Sequence, residues 1–211
     1  MIKSKFATVA LLVLAATAAR GQSTARVAVA SDSKLWVDGT SNLHAWSCKA
    51  DKLDAFIDVD AGAAIALSAA APKALKKVQI HVPARSLKCN HNGMEGNVYK
   101  ALKADDDASQ ISWVMSSFES ASGDSKDAFT LHTMGALTIA GVEKKISVDV
   151  SATRMPDGTI RAVGMVPIKM SEYGITPPTA IFGRLKTGDD VKVNFELTVG
   201  AKAVAAAVTK P

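Results

Sequence analysis

The sequence predicts an all-β protein, an antiparallel barrel or sandwich interrupted by one short helix. Three observations carry this. Runs in which every second residue is apolar recur between residues 34 and 200. Short turn signals separate the runs, the clearest being Met155-Pro156-Asp157-Gly158-Thr159. One stretch alone, 92–105, changes to helical spacing.

The elements follow in order. "KLWVDG" places Leu35 and Val37 on one face, and "KLDAFIDVD" alternates through Leu53, Ala55, Ile57 and Val59. "KKVQIHVPA" alternates at Val78, Ile80 and Val82, and "QISWVMSSF" at Ile111, Trp113 and Met115. "AFTLHTMGALTIAG" aligns Phe129, Leu131, Leu137 and Ile139; "KKISVDVSATRM" aligns Ile146, Val148, Val150 and Ala152. After the Asp157-Gly158 turn, "TIRAVGMVPIKM" is apolar on both faces, with Ile160, Ala162, Val166 and Ile168 on one and Val163 and Met165 on the other. "DVKVNFELTV" closes the series with Val191, Val193, Phe195, Leu197 and Val199. Alternation of this kind marks half-buried strands, and regular spacing with short turns marks a closed or doubled sheet.

The helix opens on Asn92, with Glu95 three residues on, the spacing of a capping box. Met94, Val98, Ala101 and Leu102 share a face suited to cover an open barrel end. Asp105-Asp106-Asp107 stops it, because negative charge opposes the dipole at a helix C-terminus.

Domain boundaries come from the ends. Residues 1–21 join a basic start to an apolar run at 6–19 and small residues, the pattern of a cleaved signal peptide; a membrane span needs about 20 apolar residues. Residues 22–200 form one barrel domain, and the Ala-rich 201–211 reads as a flexible tail. The expected location is the periplasm or outside the cell. Loss of Lys3, Lys5 and Arg20 with the leader cuts the net charge from +5 to +2, which argues against nucleic acid as a partner.

Two cysteines remain, Cys48 and Cys89. An even pair in an oxidising compartment reads as one disulfide. Two free thiols, or a Cys2His2 metal site with His44 and His91, are the alternatives. The titratable residues form no nucleophile elbow and no zinc-helix motif, so the chain is read as no enzyme, with no cofactor and no metal. An eight-strand barrel is just wide enough inside for one slender ligand. Gly135 and Gly164 either open such a channel or relieve strain at a coiled corner.

Four blocks carry a resemblance: "LWVDGTSNLHAWSCKA" (35–50), "SLKCNHNGMEGNVYKALKAD" (86–105), "GALTIAGVEKKISVDV" (135–150) and "YGITPPTAIFGRLKTGDDVKVNFEL" (173–197). In this order they resemble the YceI-like family of exported bacterial proteins. The resemblance implies an extended, eight-stranded, lipocalin-like antiparallel barrel with one capping helix. It also implies a long apolar ligand, such as a polyisoprenoid, an isoprenoid quinone or a fatty amide, held in a tunnel.

The expected tunnel-lining residues are Trp113, Phe129, Leu131, Val163, Met165, Ile181 and Phe182. The last two lie after Pro177-Pro178, which cannot donate ladder hydrogen bonds and so must leave the sheet; their loop is expected to fold over the barrel mouth. Transient contact with a membrane surface and a homodimer both stay open. Two competing readings are an envelope interaction module with no cavity and a hydrolase of apolar substrates using His44 or His132 as base.

Overall fold

The computed structural model describes residues 24–60, 74–91, 93–106, 109–123, 125, 127–180 and 182–204. Among them the chain forms β1 (Thr24–Val29), β2 (Lys34–Ser41), β3 (Ala45–Ala50), β4 (Asp54–Asp60), β5 (Leu75–Pro83), β6 (Leu87–Cys89), α1 (Met94–Ala101), β7 (Gln110–Ser122), β8 (Ala128–Ile139), β9 (Val142–Arg154), β10 (Ile160–Lys169), β11 (Thr179–Ala180) and β12 (Leu185–Val204). The expected leader (1–21), Asn92, Asp107, Ile181 and residues 205–211 lie outside the described residues.

Eight strands close into an antiparallel barrel in the order β1-β4-β5-β7-β8-β9-β10-β12, with β12 pairing back onto β1. The fold class is the one the sequence predicts, but the ring is not made of the eight periodic runs. β1 is a stave, and β2 is not.

The reason is the length of β12. Its middle pairs with β10 from Asp190 to Val199, and its C-terminal part pairs with β1 from Val199 to Val204. Its first half instead pairs with β2, which carries β3 and β6 beyond it as a side sheet. Strand structure continues to Val204, past the limit of 200 expected for the barrel.

The local chemistry explains most joints. Gly158, at φ 83°, turns β9 into β10, with Met155 and Thr159 closing the hairpin. The capping box does not form as expected. Gly93, left-handed at φ 75°, is the N-cap of α1 and offers no side chain. Glu95 reaches instead to the backbone N–H of Cys89, 3.1 Å away, and so ties the helix to β6. That bond, with one to its own N–H, holds the Glu95 carboxyl below its ordinary range.

Buried apolar residues fall into three clusters rather than one. The first, at one end, gathers Val27, Ile57, Val59, Phe129, Leu197 and Val199. The second centres on Trp46, Cys48, Val82, Leu87 and Val191 under α1. The third joins Leu137 and Ile139 to Tyr173 and Ile175. A domain of this size usually has one contiguous core. Here the clusters surround a cavity.

Candidate ligand-binding site

The cavity encloses about 580 Å³, within the range of roughly 300–1,000 Å³ typical of small-molecule sites. Its wall is the inward face of nearly every strand. The aligned sets read from the sequence on β8 (Phe129, Leu131, Leu137, Ile139), β9 (Ile146 to Ala152) and β12 (Val191 to Val199) all face it. Met94, Val98 and Ala101 of α1, with its C-cap Leu102, close over it, so the helix does cover a barrel end.

Polar groups are few and concentrated at one end. Deep in the wall, buried Thr133 donates its hydroxyl proton to the Val148 carbonyl at 2.7 Å, which leaves a dry surface. Ser41, His44, His91, Asn97, Thr179 and Thr187 also line the cavity. His44 is exposed as well, so the cavity reaches solvent there. Its ring lies 4.2 Å from that of His91, centroid to centroid. Tyr173, packed with Leu137, Ile139 and Ile175, also lines the cavity, and burial pushes its hydroxyl above the ordinary tyrosine range, aided by nearby Glu172.

Cys48 and Cys89 sit opposite each other on β3 and β6 and are joined by a disulfide. The sulfurs are thus unavailable to the Cys2His2 alternative. Among the described residues no group of three or more His, Cys, Asp or Glu side chains is placed to hold a metal ion.

Three glycines shape the lumen. A Cβ on Gly39 would overlap the Trp46 ring, and one on Gly164 the Phe195 ring. A Cβ on Gly135 would lie 2.5 Å from Trp113 Cε2. Gly39 faces Trp46 across the β2–β3 ladder, and Gly164 faces Phe195 across β10–β12. All three rings line the cavity. The missing side chains let aromatic rings lie flat on the wall instead of crossing the lumen. So Gly135 and Gly164 neither leave empty volume nor merely relieve a corner; they are floors for rings. The rings are anchored differently: Trp46 donates its indole N–H to Thr40 O at 3.1 Å, whereas that of Trp113 is buried with no acceptor among the described residues.

Of the seven expected lining residues, Trp113, Phe129 and Leu131 face the cavity. Val163 and Met165 do not: they lie on the outer face of β10, and Met165 is 49% exposed. The same parity carries Arg161, paired with Glu196 at 2.9 Å, and Lys169, paired with Asp190 at 2.6 Å. Those charges were the available signal, since a wall strand keeps its ions in water. Phe182 also points away from the cavity and is fully exposed, at 107%. Its loop borders the mouth through Pro178, Thr179 and Leu185 instead.

A second polar constellation lies outside the barrel. His132 Nδ1 is 2.8 Å from Asp149 Oδ1, and its Nε2 is 3.1 Å from the Ser122 hydroxyl. The connectivity is that of a Ser–His–Asp triad. None of the three lines the cavity. Asp149 is 66% exposed and so is solvated rather than held in a dry site. Cross-strand register produces the contact, because His132 and Asp149 are direct neighbours on β8 and β9.

Residues 35–199 match the family model described as the YceI-like domain. No curated protein matches the chain. Among solved structures, BcnA of Burkholderia cenocepacia is similar at TM-score 0.62 and 19% identity, over 80% of this chain and 96% of that one. A polyisoprenoid binding domain from Saccharophagus degradans, implicated in plant cell wall breakdown, is similar at TM-score 0.57 and 13% identity, over 85% and 100%. A YceI protein of Campylobacter jejuni follows at TM-score 0.52 and 21% identity, over 76% and 84%. At such identities the likeness is one of fold.

Proposed function

The chain belongs to the YceI-like family, and from that premise we propose that it binds a long-chain apolar lipid inside the barrel and carries or sequesters it. The observation that carries this reading is the continuous apolar cavity, open at one polar end. The Saccharophagus domain, a polyisoprenoid binder of the same fold, supports an isoprenoid chain as the ligand class.

The energetics are adequate. Each buried methylene contributes about 0.8 kcal/mol, and association costs on the order of 4–15 kcal/mol. About twelve methylenes therefore offset a mid-range cost without any polar contact. Trp113, Phe129 and Leu131 are proposed to contact the chain. The proposed location is the periplasm or the cell exterior, a reading supported by the disulfide, which persists in an oxidising compartment.

Native mass spectrometry of protein purified from its own host tests the reading. The expected result is a protein–lipid mass whose excess is extracted by organic solvent. Apo protein alone, together with no binding of isoprenoid or fatty-amide probes, would overturn it.

A second reading, hydrolysis, is favoured by one observation, the Ser122–His132–Asp149 chain of hydrogen bonds. It is the weaker one, because the group lies on the barrel exterior, apart from the cavity. A p-nitrophenyl ester assay decides it: turnover abolished by Ser122→Ala would establish it, and equal background rates in both proteins would end it.

A further inference from the structure

Two large apolar side chains stand out from the cavity rim. Phe182 is fully exposed, and Leu43 is 67% exposed. They sit on adjoining turns that are fastened together. The Asn42 backbone N–H donates to Lys186 O at 3.0 Å. The Asn42 side-chain amide donates to Arg184 O and accepts from the Lys186 N–H, both at 2.8 Å. The same turns supply Ser41, His44, Thr179 and Leu185 to the cavity lining. They present polar and apolar groups inward and two bare hydrophobes outward.

Phe182 is doubly unfavourable for a chain surrounded only by water. Its ring is exposed, and its φ of 53° is in the left-handed region, an outlier for a bulky side chain. These two turns are also charged in one sense. Residues 40–46 and 176–187 contain Arg184 and Lys186 and no Asp or Glu. The next carboxylates along β12 are already engaged, Asp189 with Ser171 and Asp190 with Lys169. Exposed hydrophobes flanked by cations are the composition of a surface that enters the headgroup region of an anionic bilayer.

We infer that the rim formed by Leu43 and Phe182 docks on an anionic phospholipid bilayer, with Arg184 and Lys186 at the phosphates and the cavity mouth facing the membrane. Docking of this kind gives an apolar ligand a path between bilayer and barrel that avoids water. The inference rests on the lipid-carrier reading for its purpose, but its contacts are separate from the cavity wall. Binding is expected to be weak, reversible and salt-sensitive, because two side chains and two cations are engaged.

Vesicle sedimentation of the mature protein, free of the expected leader at 1–21, tests it, with phosphatidylcholine vesicles compared with ones holding about 30% phosphatidylglycerol. The native chain is expected to sediment with the anionic vesicles. Leu43→Ser/Phe182→Ser is expected to lose about tenfold in apparent affinity for them. Arg184→Gln/Lys186→Gln should lose the preference for anionic lipid. Met165→Ser, which removes an exposed hydrophobe from the barrel wall, should sediment like the native chain, as a control for general stickiness. Circular dichroism melts confirm folding of each variant.

A soluble dansyl-labelled isoprenoid separates the two proposals. The Leu43/Phe182 variant should still bind it in solution. Vesicle binding without probe binding would leave the docking rim standing and overturn the carrier reading. Native protein that ignores anionic vesicles, or a double variant that sediments undiminished, would overturn the rim. A native dimer that Leu43→Ser/Phe182→Ser converts to a monomer, with no vesicle binding by either, would overturn it too, in favour of self-association.

Discussion

The two ends of the barrel are closed by different means. At the floor, β1 is zipped on one side to β4 and on the other to β12, and Val27 and Val59 are buried beneath it. At the mouth, closure falls to the short strands β2, β3 and β6, a disulfide, and an eight-residue helix with no buried residue. That helix is held by local bonds: Glu95 to the Cys89 N–H, and the Tyr99 hydroxyl to Leu87 O at 3.0 Å. Continuous ladders over packed side chains set global stability, while elements with few buried contacts open first. The comparison therefore assigns stability to the floor and access to the mouth.

Four experiments sharpen or break this assignment. The largest effect is expected at the floor, where Phe129→Ala should cost about 3–5 kcal/mol in a denaturant melt. A loss below about 1 kcal/mol would show that the floor does not carry the fold.

At the mouth, Cys48→Ser/Cys89→Ser should cost about 2–4 kcal/mol, since the bridge closes a 41-residue separation. The more telling readout is hydrogen exchange. Amides of β3, β6 and α1 should exchange faster while those of β8 and β9 keep their order of protection. Uniform acceleration would break the distinction between the ends.

Lumen shape comes next. Gly135→Ala and Gly39→Ala should push the Trp113 and Trp46 rings off the wall into the lumen. Overpacking of this kind costs about 1–3 kcal/mol, but isoprenoid-probe affinity should fall more steeply than stability. Unchanged affinity in folded variants would show that the flat rings do not define the lumen.

The smallest effect is a pH dependence. The folded-state carboxyl of Glu95 is held below its ordinary range, chiefly by the Cys89 N–H. Its contribution is therefore complete above the unfolded-state value and is lost as pH falls through the folded-state one. Protection factors of the α1 amides, taken relative to intrinsic exchange at each pH, should fall in acid, below the ordinary carboxylate range, and Glu95→Gln should flatten that dependence.

Much of the barrel was legible in the sequence. The alternating runs became strands, Asp157-Gly158 turned a hairpin, and the helical stretch with Met94, Val98, Ala101 and Leu102 became the cap. The cysteine pair became the disulfide. Four strands were not legible. β1, β3, β6 and β11 are only two to six residues long, too short to display a clear period of two. Their pairing partners supply what the pattern lacks.

The candidate site was half legible for a related reason. On β8 one face is plainly apolar, and Phe129 and Leu131 followed from it. On β10 both faces are apolar near the centre, and Val163 and Met165 were assigned to the wrong one although Arg161 and Lys169 share their parity. Phe182 was expected indoors because exposed aromatic surface gains nothing from water. It is outdoors, on the rim proposed above to meet a bilayer.

The sequence by itself determined the period of the eight longer strands, the Asp157-Gly158 turn and the stretch that becomes a helix, because these depend on neighbours along the chain. The tertiary structure alone decided which parity faces inward, that β12 serves two closures, and that three glycines bear aromatic rings. A period of two defines two faces without naming either. The name comes from curvature and from partners more than a hundred residues away, as when Gly39 meets Val191 across the ladder that joins β2 to β12.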